Sequence, residues 1–428
     1  MKIIHDVTVL TMNEHRDILD HVDVFIDGNA IVAIEKTGMR QEKGQVIDGK
    51  GKILMPGLIN SHSHCAMSLF RNYGNDCSLQ TWLEDFIWPV EAHLTGEDVY
   101  VGSCLNILEM LLSGTTTFVD MYYFMDDVAR ACEDLGIRAL LTQGLVGPDL
   151  DQRRLKEQKA LYENWHQKNS GRIEVRIGSH AIYTNTEETL RLQKKLGDQL
   201  GCGYHIHISE TKKEVDDCIA RFSKTPVEVY DDFGLLTDET IAAHCIWLTE
   251  KDMEILRDRK VSIAHNPASN MKLASGFMPL QKLQDYGMNI GIGTDGASSN
   301  NKQDMFREMY LASLIHKGYQ WDPKAAKART ILEMATINGA KLIGREKDLG
   351  SVEVGKLADL IMVDFRFVHQ TPFPEDIEAA LVYSTSGSDV SMTMVNGEIL
   401  VLDGHLQKTD PASWIKKAQE TWERLRKR

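Results

Sequence analysis

A regular alternation of strand and helix patterns extends over residues 58–349 and limits the chain to few folds. Short apolar segments typical of buried parallel strands are separated by amphipathic helical stretches such as 98–113, 186–200 and 302–316. The predicted strands comprise residues 58–62, 116–121, 137–143, 174–183, 204–209, 240–244, 261–265 and 288–294. No Gly-x-Gly-x-x-Gly motif follows the first strand, which disfavours an open dinucleotide-binding sheet. Eight strand–helix repeats over this length predict an α/β protein with a (β/α)8 TIM-type barrel.

The segments on either side of this region have the composition of short strands joined by turns. Asn396-Gly397, between two apolar runs, is a strong hairpin signal. Residues 1–57 are too few to form a good core alone, so 1–57 and 350–408 are predicted to form one small β-sandwich domain beside the barrel of 58–349. Asp410-Pro411 then begins a C-terminal helix over residues 409–428, in which Trp414, Ala418 and Leu425 lie near one face.

Composition excludes several classes of partner. The formal net charge of −14 argues against a nucleic-acid partner, because the phosphates would be repelled. The N-terminal residues lack the long apolar segment of a signal peptide and no run of about 18 apolar residues occurs, so no membrane association is expected. The seven cysteines are scattered and form no Cys-x-x-Cys pair, which indicates neither a disulfide framework nor a thiolate zinc site. A cytoplasmic location is the expectation.

Polar side chains with metal-binding and proton-transfer chemistry occur at the ends of the predicted strands, where barrels carry their active sites. His62 and His64 are one residue apart on a strand and therefore point to the same side. The other strand-end groups are His180, His207 with Glu210, His244 and Asp295. His205 lies on the same face as His207, so spacing leaves the choice between them open. His207 is preferred because it is nearer the strand end and Glu210.

Three imidazole nitrogens and one carboxylate suit zinc or a similar divalent ion that makes hydroxide available near neutral pH. Glu210 is then placed to carry protons between water and a leaving group. Each residue alone has a structural alternative, such as a helix-capping role for Asp295. The joint occurrence at one end of one barrel favours a metal site. No lysine stands near His180, so a second metal bridged by a carbamylated lysine is not expected.

These motifs together resemble the amidohydrolase superfamily over nearly the whole chain. The resemblance rests on Pro-Gly-Leu-Ile-Asn-Ser-His-Ser-His at 56–64, His207-Ile208-Ser209-Glu210, Ala243-His244-Cys245, His-Asn-Pro-Ala-Ser-Asn at 265–270 and Gly293-Thr294-Asp295-Gly296. Within the superfamily the chain is similar to the mononuclear 5-methylthioadenosine/S-adenosylhomocysteine deaminases. That family has a (β/α)8 barrel with a β domain built from both termini. We expect one divalent metal ion per subunit, zinc with iron or manganese as alternatives, a small-molecule nucleoside substrate, and a homo-oligomer.

The resemblance also implies roles for single residues. The metal ligands would be His62, His64, His207 and Asp295. His244 would orient the attacking water, and Asp295 would take its proton. Glu210 would protonate the purine ring nitrogen as C6 is attacked, after which ammonia leaves and the inosine analogue remains.

The resemblance also implies substrate-binding positions, and at one of them this chain departs from the family. Glu91 would hold the ribose hydroxyls, Trp82 would lie near the 5′-thio group, and His180 would contact the nucleoside. Core packing is an equal alternative for Trp82. The family often has an arginine for the homocysteine carboxylate where this chain has Gln143, and a neutral amide cannot form a bidentate ion pair. Arg154, or Arg153, is expected to supply the charge, and S-adenosylhomocysteine is less expected as substrate than methylthioadenosine or adenosine.

Two alternative functions stay open, of which the first keeps this site chemistry and the second discards it. The same site could serve an aminohydrolase or chlorohydrolase of a guanine-like, pterin or triazine ring, for which a ribose-binding Glu91 is needless. A non-catalytic binding or scaffold protein would be expected to lack metal ligands, and none of the expected ligands is missing.

Overall fold

The computed structural model describes residues 1–148 and 152–427. Its strands, numbered in chain order, are β1 Lys2–Leu10, β2 Ile18–Asp27, β3 Ala30–Lys36, β4 Gln45–Asp48, β5 Lys52–Pro56, β6 Leu58–Ser63, β7 Thr115–Tyr122, β8 Arg138–Gln143, β9 Ile173–Val175, β10 Ile177–Ser179, β11 Tyr204–Ile208, β12 Ile241–His244, β13 Ser262–His265, β14 Ile290–Ile292, β15 Leu360–Asp364, β16 Val390–Val395, β17 Glu398–Leu402 and β18 His405–Leu406.

The helices follow the strands of the central region and flank the terminal ones. They are α1 Leu79–Thr81, α2 Trp88–Glu91, α3 Gly96–Leu112, α4 Met125–Leu135, α5 Arg153–Trp165, α6 Lys168–Gly171, α7 Glu187–Leu200, α8 Lys212–Phe222, α9 Pro226–Asp232, α10 Glu250–Asp258, α11 Pro267–Lys272, α12 Leu280–Asp285, α13 Ala297–Asn300, α14 Met305–Gln320, α15 Ala328–Ala335, α16 Ile337–Leu342, α17 Ile377–Tyr383 and α18 Pro411–Leu425. In the part of the chain that the structure describes, every helix is too short or too polar to cross a membrane.

The central strands form two parallel sheets in chain order, β6-β7-β8-β9 and β10-β11-β12-β13-β14. Every predicted strand of this region has a counterpart, and the predicted α/β class with parallel strands is confirmed. The fourth predicted strand differs, because it is divided at Arg176 and ends at Ser179 rather than at residue 183. The buried Arg176 guanidinium leaves the sheet to donate to the carbonyl oxygens of Glu239 and Leu342, and residues Ile182–Thr184 form a 3₁₀ turn.

Both chain termini contribute to one further sheet, with the strand order β18-β17-β16-β15-β5-β1-β2-β3 and β4 paired to β1. The N- and C-terminal halves of this sheet meet where β5 pairs antiparallel with β15. The predicted hairpin at Asn396-Gly397 joins β16 and β17. Buried side chains from both halves, such as Val24, Leu54 and Met392, belong to one apolar cluster. Neither half therefore buries its apolar face without the other.

The chain passes from the terminal sheet to the central strands at Gly57, between β5 and β6. A Cβ atom at this position would lie 2.1 Å from Thr116 Oγ1, so the close approach of the backbone to β7 requires glycine. The C-terminal helix α18 buries Trp414, Ala418 and Leu425, as its apolar pattern predicts, against the cluster that contains α3. Arg428, the last residue of the helix prediction, lies outside the described residues.

Candidate metal centre and active site

Four histidine side chains converge where β6, β11 and β12 end. His62 and His64 come from β6 and its following residue, His207 from β11, and His244 from β12. One ligand atom from each of His62, His64 and His207 lies within 4.8 Å of the others, and the same holds for His62, His244 and Asp295. The strand pleat and the parallel register thus bring together donors that are up to 233 residues apart (His62 to Asp295).

Hydrogen bonds at Nδ1 fix the orientation of the converging imidazoles. The Nδ1–H of His64 donates to the Met121 carbonyl (2.6 Å), and that of His207 donates to the His180 carbonyl (2.7 Å). His62 Nδ1 is hydrogen-bonded to His205 Nε2 at 2.8 Å. His205 therefore binds Nδ1 of His62 and is not one of the four converging imidazoles. This pattern leaves the Nε2 lone pairs of the three rings available for a metal ion.

The turn that follows β6 is held by a buried carboxylate on β7. Asp120 accepts hydrogen bonds from the Ser63 hydroxyl (2.8 Å) and the Cys65 amide (2.7 Å), on either side of His64. Burial raises the pKa of Asp120 to about 6. These two hydrogen bonds fix the backbone that presents His64.

The donor set fits a divalent cation in its chemistry as well as in its position. The Nε2 atom of His62 is fully buried and has no hydrogen-bond partner among the residues that the structure describes. Burial lowers the pKa of His62 to about 4 and that of His207 well below its usual range, so both rings are neutral. Asp295 Oδ1 lies 3.2 Å from His64 Nε2 and 3.6 Å from His62 Nε2. Although burial opposes ionisation, His62 and His64 lower the pKa of Asp295 far enough to keep it a carboxylate.

Glu210 and His244 form a second pair beside this donor set. His244 Nε2 lies 3.7 Å from Glu210 Oε2, and both side chains are buried. Burial raises the pKa of Glu210. Burial would lower the pKa of His244, but the adjacent Glu210 and Asp295 charges raise it overall. Such a pair can share a proton between a carboxyl group and an imidazole.

The backbone at these strand ends has a left-handed conformation that is unusual for residues with a Cβ atom. Ser209, His244 and Asp295 have φ values of 53°, 73° and 61°. Three such residues at the ends of β11, β12 and β14 indicate a local conformational cost at the point where the polar side chains converge.

The donor set borders a cavity, which we call the inner cavity. Its wall is largely apolar and includes the segment that contains Trp82 and α2. The lining residues are His64, Met67, Leu79, Trp82, Leu83, Ile87, Trp88, Glu91, Met121, Tyr122, Tyr123, Gly144, His180, Tyr183, His207, Glu210, His244, Leu273 and Asp295. Glu91 accepts a 2.6 Å hydrogen bond from the Tyr122 hydroxyl, and burial raises its pKa.

A wider outer basin continues from the inner cavity and shares Glu91 and His180 with it. Gln143, Arg153, Arg154 and Glu157 line only this basin. Gln143 Nε2 donates to Glu157 at 3.0 Å, and the Arg153 guanidinium lies 3.4 Å from the same carboxylate. The Arg154 guanidinium lies over the Tyr123 ring, 5.7 Å from its centroid.

The structure brings the predicted site residues other than His62 to the walls of these two connected spaces, and His62 lies behind them in the same donor set. Arg153 and Arg154 both line the outer basin, so their position does not decide which of them would meet a substrate carboxylate. Sequence reasoning missed Tyr122, Tyr123 and Tyr183, which line the inner cavity. Tyr122 ends β7 and Tyr123 follows it, so the strand-end rule that found the histidines could have found both.

Metal-binding side chains at the carboxyl ends of parallel strands, with a buried acid beside them, define the class of metal-dependent hydrolases. The model of the amidohydrolase family matches residues 53–400, and the chain belongs to that family. The resemblance seen in the sequence motifs is thereby confirmed, and the protein is a hydrolase.

Named relatives cover nearly the whole chain. The chain is 43% identical over 411 residues to a 5-methylthioadenosine/S-adenosylhomocysteine deaminase of Caldanaerobacter subterraneus subsp. tengcongensis, with 95% of this chain and 94% of that one covered. It is 44% identical over 427 residues to a 5′-deoxyadenosine deaminase of Methanosarcina mazei, with 99% and 98% covered. A crystal structure of an adenosine deaminase from Xanthomonas campestris with bound zinc has a TM-score of 0.95 at 33% identity and covers 100% of this chain and 99% of that one.

Proposed function

We propose that the protein deaminates adenosine-type nucleosides hydrolytically, giving the inosine analogue and ammonia. The substrates would be 5′-methylthioadenosine, S-adenosylhomocysteine, 5′-deoxyadenosine or adenosine. The observation that carries the proposal is the joint placement of the His and Asp donor set beside Glu210, in a cavity that also contains Glu91. The full-length likeness to a zinc-containing adenosine deaminase supports it.

One divalent ion, zinc, is proposed to bind to His62, His64, His207 and Asp295. The unpartnered His62 Nε2 and the neutral imidazoles support this set. When bound, such an ion acts as a Lewis acid and makes hydroxide available near neutral pH.

The protein's own acid and base groups would then move the protons. Glu210, whose pKa is raised by burial, would donate its proton to the ring nitrogen beside C6 while water attacks C6. The Asp295 carboxylate would take a proton from this water and deliver it to the departing amino group, which leaves as ammonia. The remaining hydroxyl proton would return to Glu210 as the C6 carbonyl forms. His244, with its proton on Nδ1, would accept a hydrogen bond at Nε2 from the attacking water and so orient it.

Glu91 and the outer basin are proposed to hold the rest of the nucleoside. The Glu91 carboxylate can accept hydrogen bonds from two ribose hydroxyls, with Tyr122 fixing its orientation. Trp82 and His180 would contact the sugar and its 5′ group. A larger 5′ substituent would extend into the outer basin toward Gln143 and Arg154.

Deamination of a nucleoside panel tests this function. We expect purified, zinc-loaded protein to lower absorbance at the adenine band with the 5′-substituted adenosines, and to leave guanine, pterins and triazines unchanged. Glu210→Gln should lose about 10²- to 10⁴-fold in kcat, the contribution of a positioned general acid, with metal content and melting temperature retained. The matched control is Glu188→Gln on the exposed start of α7. Turnover by Glu210→Gln at the rate of the unmodified protein would remove the proposed role.

The architecture around the site is proposed to follow the family resemblance. The two parallel sheets are proposed to close into one (β/α)8 barrel of residues 58–349. An isolated bridge between Leu145 and Ser179 supports one seam, and the Asp295 amide donating to the His62 carbonyl (2.9 Å) supports the other. Residues 1–57 and 350–408 are proposed to form a β-sandwich, supported by the bridge between Ala30 and Leu357. A homo-oligomer remains a prediction that light scattering can test.

A further inference from the structure

The segment after β13 contacts each of the three proposed catalytic side chains, although β13 itself adds no donor to the metal set that the described residues form. The Ser269 hydroxyl donates to Asp295 Oδ2 at 2.6 Å. Asn270 Oδ1 lies 2.8 Å from His244 Nδ1. The Ser275 hydroxyl donates to Glu210 Oε1 at 3.4 Å. All three contacting side chains are buried, so these hydrogen bonds do not compete with solvent.

We propose that residues 267–275 are a positioning segment that sets the orientation and the hydrogen-bonding state of Asp295, His244 and Glu210 together. The inference rests on the proposed deaminase function, because that function gives these three side chains their roles. It adds positioning roles for Ser269 and Asn270, which themselves need not touch the substrate.

Asn270 determines the tautomer of His244. An amide oxygen can only accept a hydrogen bond, so His244 Nδ1 must carry a proton. The nitrogen of Asn266 is also near Nδ1, but at 3.4 Å it is the more distant neighbour. With Nδ1 committed to Asn270, Nε2 is left to exchange a proton with Glu210 and the reacting oxygen. Without Asn270, either tautomer of the neutral ring could form, and only one has this geometry.

Ser269 determines how the Asp295 carboxylate is turned. The hydroxyl of Ser269 binds Oδ2, and the Gly296 amide donates to Oδ1 at 2.7 Å. With both oxygens bound, Oδ1 faces His64 and Oδ2 faces the positioning segment. Loss of the hydroxyl would leave Oδ2 buried without this donor, and the Gly296 amide alone would then hold the carboxylate.

The positioning segment is itself fixed from behind by helix α14. Glu308 accepts hydrogen bonds from the Ala268 amide (3.1 Å) and from Asn300 Nδ2 (2.8 Å). The Ser275 amide donates to the Asn270 carbonyl at 2.9 Å, which closes the segment on itself. A rigid support of this kind is what a group needs in order to orient another side chain.

Variants of Asn270 and Ser269 separate positioning from simple structural support. Asn270→Ala and Ser269→Ala should each lower kcat by about 10- to 100-fold, the usual cost of removing an orienting partner, with KM unchanged. Asn270→Asp keeps an oxygen acceptor for Nδ1 and should recover most of the rate. Ser313→Ala is the matched control, because it removes a buried hydroxyl from α14 that bonds to the Ala326 carbonyl and Tyr383, away from the three catalytic side chains.

A second measurement does not depend on turnover. In zinc-loaded protein with ¹⁵N-labelled histidine, the His244 signals, assigned by their loss in His244→Asn, should show a protonated Nδ1. Asn270→Ala should shift them toward a mixture of tautomers, while metal content and melting temperature stay close to those of Ser313→Ala. Full kcat in Asn270→Ala with unshifted signals would overturn the positioning role. Absence of nucleoside deamination by the unmodified protein would instead overturn the proposed function and leave the tautomer result valid.

Discussion

Gln143 and Glu157 give the wall of the outer basin an amide and a carboxylate joined by a 3.0 Å hydrogen bond. A carboxylate on a 5′ substituent would meet the charge of Glu157 there, and position 143 adds no cation to Arg153 and Arg154. We therefore expect methylthioadenosine to be preferred over S-adenosylhomocysteine. Gln143→Arg should raise kcat/KM for S-adenosylhomocysteine relative to methylthioadenosine by about fivefold, or about 1 kcal/mol for one added ion pair with the substrate.

The comparison of two substrates on each variant provides the internal reference for this prediction. Gln143→Met keeps the length of the side chain without charge and should leave the ratio of the two kcat/KM values unchanged. Combining Gln143→Arg with Glu157→Gln should raise the ratio further, because the new guanidinium no longer pairs with Glu157. An unchanged ratio in the double variant would mean that the 5′ substituent does not reach this wall.

Helix α14 supports two loops of the site through one buried carboxyl group, Glu308. Burial raises the pKa of Glu308 from 4.5 to about 8, although the hydrogen bonds from Asn300 and Ala268 favour the charged form. At pH values between 4.5 and about 8, Glu308 has lost its proton in the unfolded chain but retains it in the folded chain. The free energy of unfolding therefore falls as the pH rises through this range. We expect the melting temperature to decrease across this range. In Glu308→Gln, which cannot ionise, the decrease should be smaller, and identical pH slopes would contradict the prediction.

The strands of the site can be predicted from the sequence because each combines two local signals. An apolar run marks the buried strand, and a polar residue marks its end, as for His244 after Ile241 and Ala242. The separate strand β5 was not recognised, since its apolar residues continue almost without a break into β6. The roles of Ser269 and Asn270 were also missed, although their motif was noted. Their partners, Asp295 and His244, are set by how α11 packs, and no local pattern encodes that.

At the scale of the whole molecule, the buried pair Arg138–Asp359 joins the central strands to the terminal sheet. Arg138 begins β8, and its guanidinium contacts Asp359 through Nε (2.8 Å) and Nη2 (3.1 Å). Asp359 immediately precedes β15 and also accepts from the Asn396 amide at 2.7 Å. The pair therefore links the strand that leads to Gln143 with the hairpin of β16 and β17.

Arg138→Met should lower the free energy of unfolding by about 3–5 kcal/mol, because it leaves the Asp359 charge buried and unpaired. Denaturant unfolding followed by circular dichroism would measure the change. Adding Asp359→Asn should recover part of the loss, since the second substitution removes the unpaired charge. Arg191→Met breaks a pair with Glu187 that is exposed on both sides and should cost less than about 1 kcal/mol. Equal losses in Arg138→Met and Arg191→Met would show that the two parts of the molecule do not depend on this contact.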